Sequence, residues 1–231
     1  MVLNTRQGAP RKPYKGMAME GSIARWYTRN TKNGRGFHET ARAISERLKP
    51  GSTVLEVAPG PGYLAIELAR LGSYQITGLD ISHTFVQIAS ENARQAGVTI
   101  DFRHGDVAHM PLPDNTFDFM VCTAAFKNFT DPVAALDEIH RVLRPGGQAS
   151  IVDLRKEASL DEINADIRKM QLSPLNALFT RWAFRLMLLR NAYTRESLEG
   201  IVTRSRFRQG EIIVSGIGFD LRLSKEISLA K

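Results

Sequence analysis

Cysteine is nearly absent from this chain of 231 residues, and so are long apolar runs. The single cysteine, Cys122, excludes an internal disulfide, which fits a reducing compartment, and we expect the cytoplasm. No stretch of about 18 apolar residues is present, so the sequence predicts no transmembrane helix. The basic residues near the start are not followed by an apolar segment, and we therefore expect no signal peptide.

Metal ligands at a characteristic spacing are also lacking, because the five histidines and one cysteine form no pattern with the acids. We therefore predict no metal site. An apolar content of 43% and a charged content of 24% are ordinary for a globular protein. The length suits one large domain with a substantial core, and we predict a single domain over residues 1–231.

Positive charge is distributed unevenly along the chain. The net charge is +8 over residues 1–50, −6 over residues 51–154 and +5 over residues 155–209. A basic surface can attract an anionic small molecule, a nucleic acid or an anionic membrane. Solvated side chains without a ligand explain the same charge equally well, so the partner stays open at this point.

Short apolar runs alternate with helical patterns between residues 51 and 154, which predicts a parallel sheet with helices on both faces. The fold class is α/β and doubly wound. The predicted strands are 53–57, 74–79, 98–103, 116–123 and 148–154, and the predicted helices between them are 63–71, 82–96 and 131–143.

The flanking segments break this alternation. Residues 1–16 are interpreted as a loose arm, and residues 22–48 as a helical segment that is interrupted near 33–36. A helical insertion is expected over 155–193, followed by a helix over 194–205. Two short runs, 211–214 and 219–223, are joined by only a few residues and should form an antiparallel hairpin.

The turn after the first strand contains the first candidate site. Gly60 and Gly62 allow a ligand to approach the backbone closely, and the helix that follows offers free amide groups. These glycines also satisfy the dinucleotide pattern G-x-G-x-x-A, which alone is a weak signal. Asp80 follows eighteen residues after Gly62, at the end of the second strand, where a carboxylate can accept two ribose hydroxyls. An acid in a surface turn is the alternative.

Two further acids separate a nicotinamide cofactor from S-adenosylmethionine. Glu56 lies inside the first strand, where it would repel a pyrophosphate but can orient the loop around a cationic amino-acid ligand. Asp106 follows the third strand and can accept the adenine amino group, with Val107 beside the ring. A structural role for Asp106 in a turn or helix cap is the alternative.

In these motifs the stretch from Gly51 to Gly147 resembles the class I S-adenosylmethionine-dependent methyltransferases, near the ubiquinone/menaquinone methyltransferases. The family's E/D-x-G-x-G-x-G motif corresponds to Glu56–Gly62, with Ala58 in place of the first glycine. The later family motifs correspond to Asp80, to Gly105-Asp106-Val107, to the run from Leu112 to Asp118, and to Leu143-Arg144-Pro145-Gly146-Gly147.

The resemblance implies a seven-stranded sheet of order 3-2-1-4-5-7-6, closed by the C-terminal antiparallel hairpin. It implies a cofactor-binding core over 51–154, with cap helices in 1–50 and 155–193 and the final helix and strands in 194–231. S-adenosylmethionine is the implied cofactor. The residues expected to hold it are Glu56, Ala58, Pro59, Gly60, Gly62, Asp80, Ile81, Asp106, Val107, Thr123 and Ala124.

Methyl transfer from a sulfonium is an in-line displacement, and alignment of the acceptor supplies much of the rate. A base is needed only if the acceptor must lose a proton. Relatives often carry His-His after the fourth strand, where this chain has Lys127-Asn128. Lys127 and His38 are weak candidates for a base, and an ion pair or a surface position is the alternative for each.

The acceptor is expected to contact the flanking segments, since these usually cover the active site in the family. A small-molecule or lipid-like acceptor, apolar or anionic, is the first interpretation. Weak candidates for its pocket are Met17, Trp26, Tyr27, Phe37, Phe126 and Tyr193, and core packing explains the aromatic residues among them equally well. The amphipathic run 172–190 suggests peripheral membrane contact, packing on the domain, or a homodimer contact. An RNA methyltransferase, a non-catalytic cofactor-binding partner and, more distantly, a nicotinamide dehydrogenase are the alternatives.

Overall fold

The computed structural model describes residues 14–15, 19–31, 36–169 and 189–227. Seven strands are present in this part of the chain: β1 (Thr53–Val57), β2 (Gln75–Asp80), β3 (Asp101–His104), β4 (Phe117–Thr123), β5 (Leu143–Leu154), β6 (Glu211–Ser215) and β7 (Gly218–Ser224). The helices are α1 (Gly21–Thr31), α2 (Gly36–Ser45), α3 (Tyr63–Leu71), α4 (His83–Ala96), α5 (Pro132–Val142), α6 (Leu160–Lys169) and α7 (Arg195–Arg204), with a short 3-10 helix over Phe126–Asn128.

All seven strands form one sheet in the order β3-β2-β1-β4-β5-β7-β6. Strands β1 to β5 run parallel, whereas β7 is antiparallel to both β5 and β6. The predicted fold class, strand order and closing hairpin are therefore confirmed.

Several element boundaries differ from the predicted ones. Strand β3 begins only at Asp101, where pairing with Thr77 of β2 starts, so residues 98–100 lie outside it. Strand β5 begins at Leu143, which pairs with Phe117 ahead of a register shift, so the predicted Pro-Gly-Gly turn is incorporated in the strand. The helical segment predicted over 22–48 consists of α1 and α2, and the residues between them lie outside the described ones.

The core lies on both faces of the sheet, because successive side chains of a strand point to opposite sides. On one face Val54 packs with buried residues of α2 and α3, and on the other Leu55 and Val57 pack with α5 and α7. Glu56 lies on the same face as Val54, so its carboxyl group is directed toward α3 rather than toward solvent. This placement makes Glu56 an acidic residue within an otherwise apolar layer.

The helix that follows β2 begins immediately after Asp80. The Ser82 hydroxyl accepts the amide of Phe85 and so caps α4, while Gly97 ends the helix in the left-handed conformation. Capping satisfies amide groups that have no partner within the helix and is worth about 1 kcal/mol. The cap therefore fixes the two residues between Asp80 and the helix start. Among the described residues, no helix is long and apolar enough to cross a membrane.

Candidate functional site

The candidate site lies where the carboxyl ends of β1, β2 and β4 meet. The chain leaves β1 toward β2 on one side and later returns to place β4 on the other side of β1, so the strand order reverses there. In open parallel sheets, ligands bind in the crevice at such a switch point. The sequence-predicted residues Ala58, Asp80 and Thr123 follow or end these three strands.

The turn after β1 has a backbone shape that few side chains tolerate. Ala58, Gly60 and Gly62 have φ angles of 56°, 54° and 79°, in the left-handed region. A Cβ atom on Gly62 would lie 2.8 Å from Cζ of Phe102, so glycine is also required there by close packing. The buried Pro59 lies between Ala58 and Gly60. The turn presents its backbone, rather than side chains, to the crevice.

Asp80 joins this turn to the end of β2. One carboxylate oxygen accepts the amide of Gly60 at 3.0 Å, and the other accepts the amide of Ser82 at 2.9 Å. Burial raises the pKa of Asp80, and the two amide donors work against that shift. Asp80 therefore holds the glycine turn in place, and its lone pairs that remain can face a ligand. Ile81, also predicted to contact the cofactor, is half-buried, and its carbonyl oxygen lies 3.1 Å from Nε2 of His104.

Glu56 has a buried oxygen atom with no partner. Its exposed fraction is 3%, and Oε2 has no hydrogen bond among the described residues. Burial raises the pKa of this carboxyl group to about 8, with an opposing hydrogen bond from the amide of Ala65 and a further contribution from Asp80. A buried carboxylate without a partner is costly, and a cation would satisfy it. The residues present therefore fit a ligand with a positively charged amino-acid portion, such as S-adenosylmethionine.

Asp106 and Val107 lie after β3, at the far side of the crevice. Asp106 is half-buried, and its Oδ1 accepts the amide of Ala108 at 2.9 Å, which is the turn-forming contact of the alternative interpretation. His109 approaches the other oxygen at 3.5 Å. Val107 is buried in the core cluster with Leu79 and so offers an apolar surface. Both the structural and the cofactor-binding role of Asp106 are compatible with these contacts.

The loop after β4 is fixed by an internal ion pair. Nζ of Lys127 donates to Oδ1 of Asp153 at 2.8 Å and to the carbonyl of Ala124 at 2.6 Å. The side chains of Lys127 and Asp153 are only 6% and 0% exposed. Ala124 has a φ angle of 58°, and its amide donates to the carbonyl of Val152. Thr123, at the end of β4, is half-buried beside this loop.

Neither weak candidate for a base is free in the described chain. Lys127 already has Asp153 and Ala124 as partners, so it matches the ion-pair alternative instead. The ring of His38 is 58% exposed on α2 and lies 3.1 Å from Glu67 of α3. No contact joins His38 to the glycine turn, Asp80 or the β4 loop among the described residues.

The candidate acceptor residues do not converge on one place. Phe126 is fully buried and packs against Phe129 and Tyr193, so it belongs to the core rather than to an open acceptor surface. Trp26 is 63% exposed on α1, and Tyr27 on the same helix packs edge-on against Phe85.

Phe37 of α2 contacts Tyr63 at the start of α3. Tyr193 is half-buried, and besides touching Phe126 it lines a separate cleft of about 220 Å³ with Leu198 and Phe219. Met17 and most of the predicted helix 172–190 lie outside the described residues.

A contact that sequence reasoning missed brings the N-terminal segment onto the site. Tyr14 forms a β-bridge with Phe129, and the amide of Lys15 donates to the carbonyl of Asn128 at 2.7 Å. The predicted loose arm therefore contains residues that pair with the loop after β4. A segment of two residues, Tyr14 and Lys15, is too short to produce a hydrophobic periodicity in the sequence. The only sequence feature that could have indicated this contact is an aromatic residue, Tyr14, in an otherwise polar segment.

The same segment also reaches the end of β2. The Glu20 carboxylate accepts the amides of His83 and Thr84 at 2.8 and 3.0 Å, and the Ser82 hydroxyl donates to the carbonyl of Met19. N-terminal residues thus lie at both sides of the crevice. Among the described residues, no group of three or more His, Cys, Asp and Glu side chains could hold a metal ion.

Comparison with known proteins identifies the central part of the chain. Residues 55–151 match the model of the methyltransferase domain family. The 2-phytyl-1,4-naphtoquinone methyltransferase of Synechococcus elongatus is 36% identical over 115 residues, which are 48% of this chain and 49% of that protein. A ubiquinone/menaquinone biosynthesis C-methyltransferase of Bdellovibrio bacteriovorus is 39% identical over 108 residues, or 46% and 45% of the two chains. The chain spans about half the length of the curated relatives it matches.

The similarity in fold extends further than the similarity in sequence. The solved structure of a Methanococcus maripaludis protein, described as an S-adenosylmethionine-dependent methyltransferase, matches with a TM-score of 0.72 and 25% identity. That match covers 90% of this chain and 94% of the other. These findings confirm the resemblance that the motifs indicated, and with it the cofactor. Residues 55–151 therefore match the methyltransferase domain family, and the described chain has the fold of the class I S-adenosylmethionine-dependent methyltransferases.

Proposed function

We propose that this chain transfers the methyl group of S-adenosylmethionine to a ring carbon of a small, quinone-like acceptor. The observation that carries the proposal is the juxtaposition of two buried carboxyl groups with the glycine turn. Asp80 holds the turn through Gly60, and Glu56 offers an oxygen without a partner to a cationic ligand. A pyrophosphate would be disfavoured beside the buried Glu56, which argues against the nicotinamide alternative, whereas Asp80 fits the ribose of either cofactor.

Each part of the crevice has a role in cofactor binding. Glu56 and the turn from Ala58 to Gly62 would hold the amino-acid portion, and Asp80 with Ile81 would hold the ribose. Asp106 and Val107 would contact the adenine ring, with an acceptor oxygen and an apolar surface respectively. Thr123 and Ala124, at the end of β4, would border the methyl group. The bound cofactor supplies a methyl group that is already activated on a sulfonium.

Two observations support the proposed acceptor: the names of the relatives, and the engagement of Lys127 in a buried ion pair. The two relatives named above are described as methyltransferases of quinones or of their biosynthesis. Because Lys127 is fully engaged, no described lysine or histidine at the β4 loop is free to act as a base. A reduced quinone ring is electron-rich at carbon and can be methylated by alignment, with its ring proton lost to water afterwards. Catalysis mainly by positioning is the mechanism that this arrangement supports.

Cofactor binding is tested by thermal unfolding and by calorimetric titration with S-adenosylmethionine, with its demethylated product S-adenosylhomocysteine, and with NAD. We expect stabilisation by the first two and none by NAD, since ligands that bind only the folded state raise its stability. Stabilisation by NAD alone would contradict the proposal.

The acceptor class is tested by transfer of a labelled methyl group to a reduced prenylated naphthoquinone, with an oxidised naphthoquinone and total RNA as parallel acceptors. We expect label on the reduced quinone only, and on a ring carbon by mass spectrometry. Transfer of label to RNA, with a yield that falls steeply as the salt concentration rises, would favour the nucleic-acid alternative instead. Cofactor binding without transfer to any acceptor would favour a non-catalytic partner.

A further inference from the structure

The N-terminal segment around Tyr14 contacts the elements on both sides of the crevice. Its backbone pairs with Phe129 after β4, and the nearby Met19 and Glu20 are bound at Ser82 to Thr84 after β2. Strand β1, with the glycine turn at its end, lies between β2 and β4. The two described pieces of the N-terminal segment therefore bracket the strand end at which the cofactor is expected.

Burial and nearby carboxylates keep the phenol group of Tyr14 protonated. The pKa of Tyr14 is raised to about 12, first by burial and then, more weakly, by the charges of Asp80, Tyr27 and Asp153, against the effect of a hydrogen bond from Asn128. Asp80 ends β2 and Asp153 lies near the end of β5, on opposite sides of β1 and β4. With its pKa raised in this way, Tyr14 is an uncharged phenol at neutral pH.

A chain of hydrogen bonds determines which way each amide in this cluster faces. The carbonyl of Lys15 can only accept, so the amide of Asn191, 3.4 Å away, must present its NH₂ group to it. That same NH₂ group lies 3.2 Å from Asn128, which must therefore present its Oδ1. The Nδ2 group of Asn128 consequently faces Tyr14, and it donates to the phenol oxygen at 2.8 Å.

Among the described residues, the hydroxyl hydrogen of Tyr14 therefore has no hydrogen-bond acceptor. The oxygen of Tyr14 accepts from Asn128, so its own O–H group is available as a donor. Among the residues that the structure describes, none accepts that hydrogen. Buried or half-buried polar hydrogens are usually bonded, and one that faces a crevice is a candidate to bind a ligand oxygen.

We propose that Tyr14 is an acceptor-binding residue, whose hydroxyl group, oriented by Asn128, donates a hydrogen bond to a ring oxygen of the acceptor next to the methylated carbon. The proposal rests on the proposed function, since a quinone-like ring is what supplies an oxygen at that position. Asn191 and Asn128 are positioning residues in this scheme. The bond fixes the register of the ring, so that one carbon and not its neighbour faces the methyl group.

The direct test is Tyr14→Phe, which keeps the ring and removes only the hydroxyl group. We expect kcat/KM for the reduced naphthoquinone to fall roughly three- to tenfold, the range that one neutral hydrogen bond allows. The Kd for S-adenosylmethionine should stay within about twofold of the wild-type value. The midpoint temperature of unfolding should stay within about 2 °C of the wild-type midpoint. Tyr74→Phe, which removes a phenol group at the opposite end of the sheet, is the matched control. An unchanged kcat/KM in Tyr14→Phe would overturn the assignment.

A second measurement separates recognition from a merely structural effect. The wild type is compared on the reduced naphthoquinone and on an analogue that lacks the oxygen beside the methylated carbon. We expect the wild type to prefer the complete acceptor, and Tyr14→Phe and Asn128→Ala to lose three- to tenfold of that preference. A ratio that does not move in Tyr14→Phe contradicts the role of Tyr14. Failure of the wild type to methylate either compound contradicts the proposed function instead, so the two failures are distinguishable.

Discussion

Lys127 and Asp153 form an ion pair that solvent scarcely reaches, and it joins the loop after β4 to the end of β5. Nζ of Lys127 lies 2.8 Å from Oδ1 of Asp153, while the backbone amides of Lys127 and Leu154 also donate to that carboxylate. A buried carboxylate with three donors is well satisfied, which is the condition under which a buried pair is tolerated.

Replacing Lys127 by methionine should destabilise the protein. Lys127→Met keeps the length of the side chain but leaves the charge of Asp153 buried without its cation, which costs about 3–5 kcal/mol in comparable pairs. Urea unfolding of the two proteins measures the difference in the free energy of unfolding. Lys156→Met, at an exposed lysine, is the control and should change that free energy by no more than about 0.5 kcal/mol. A loss below about 1 kcal/mol in Lys127→Met would contradict the importance of the pair.

Glu56 should make the ligand-free protein less stable as pH rises. Its pKa in the folded chain is about 8, above the ordinary value of 4.5, so its contribution is present below pH 4.5 and is lost as pH rises through 8. Glu56→Gln removes the titrating group. Relative to this variant, the free energy of unfolding of the wild type should fall by roughly 2–5 kcal/mol between pH 5 and pH 9. Parallel unfolding profiles for the two proteins would contradict this prediction.

The same residue should give cofactor binding a pH dependence of the opposite sign. A cationic ligand favours the ionised carboxyl group, so the affinity of the wild type for S-adenosylmethionine should rise as pH increases toward 8. The affinity of Glu56→Gln should be weaker at pH 8 and should lack this rise. Calorimetry in buffers of different ionisation enthalpy measures the proton released on binding. No proton release by the wild type at pH 7 would argue against contact between Glu56 and the cationic group.

Asp80→Asn should weaken cofactor binding while leaving the fold intact. An asparagine can still accept one of the two amides of Gly60 and Ser82, but its NH₂ group opposes the other and carries no charge. We expect the Kd for S-adenosylmethionine to rise at least tenfold, as loss of a charged hydrogen bond implies. Asp101→Asn, at an exposed acid of β3, is the control and should bind normally. Wild-type affinity in Asp80→Asn would remove this residue from the proposed site.

Gly62 and Gly97 allow backbone strain to be separated from steric contact. Both have left-handed φ angles, of 79° and 69°, but a Cβ atom would meet Phe102 at 2.8 Å on Gly62 and nothing within 4 Å on Gly97. Gly97→Ala should therefore cost about 1–2 kcal/mol from the backbone alone. Gly62→Ala should cost at least about 1 kcal/mol more, measured by urea unfolding. Equal losses in the two variants would mean that Phe102 moves aside freely.

Much of the central fold could be predicted because its signals are local. The alternation of apolar runs and helical patterns marked β1, β2, β4 and the helices beside them, and the short connection between β6 and β7 required an antiparallel pair. Strand β3 was predicted to start too early because residues 98–100 are apolar enough for a strand but have no partner in β2. Pairing across a sheet is a tertiary property that a local pattern does not contain.

The candidate site was predictable on the cofactor side and not on the acceptor side. Glu56, Gly60 and Asp80 lie at fixed distances along the chain from strand ends, so their spacing indicated a shared crevice. Tyr14 and Asn191 are 177 residues apart in sequence, and only the folded chain brings both to Asn128. Phe126, a weak candidate for the acceptor pocket, is fully buried in the core, because an aromatic residue after a strand can face either the crevice or the core.

Ala58 directly follows β1 and Ala124 directly follows β4, on either side of the switch point, and both have left-handed backbone angles that alanine normally avoids. Each costs about 1–2 kcal/mol of folding free energy, which the surrounding packing must offset. The two strand ends are consequently held in a ligand-ready shape before any ligand arrives. Less conformational entropy is then left to lose when a methyl donor and an acceptor enter, so a larger part of their contact energy can appear as affinity and alignment.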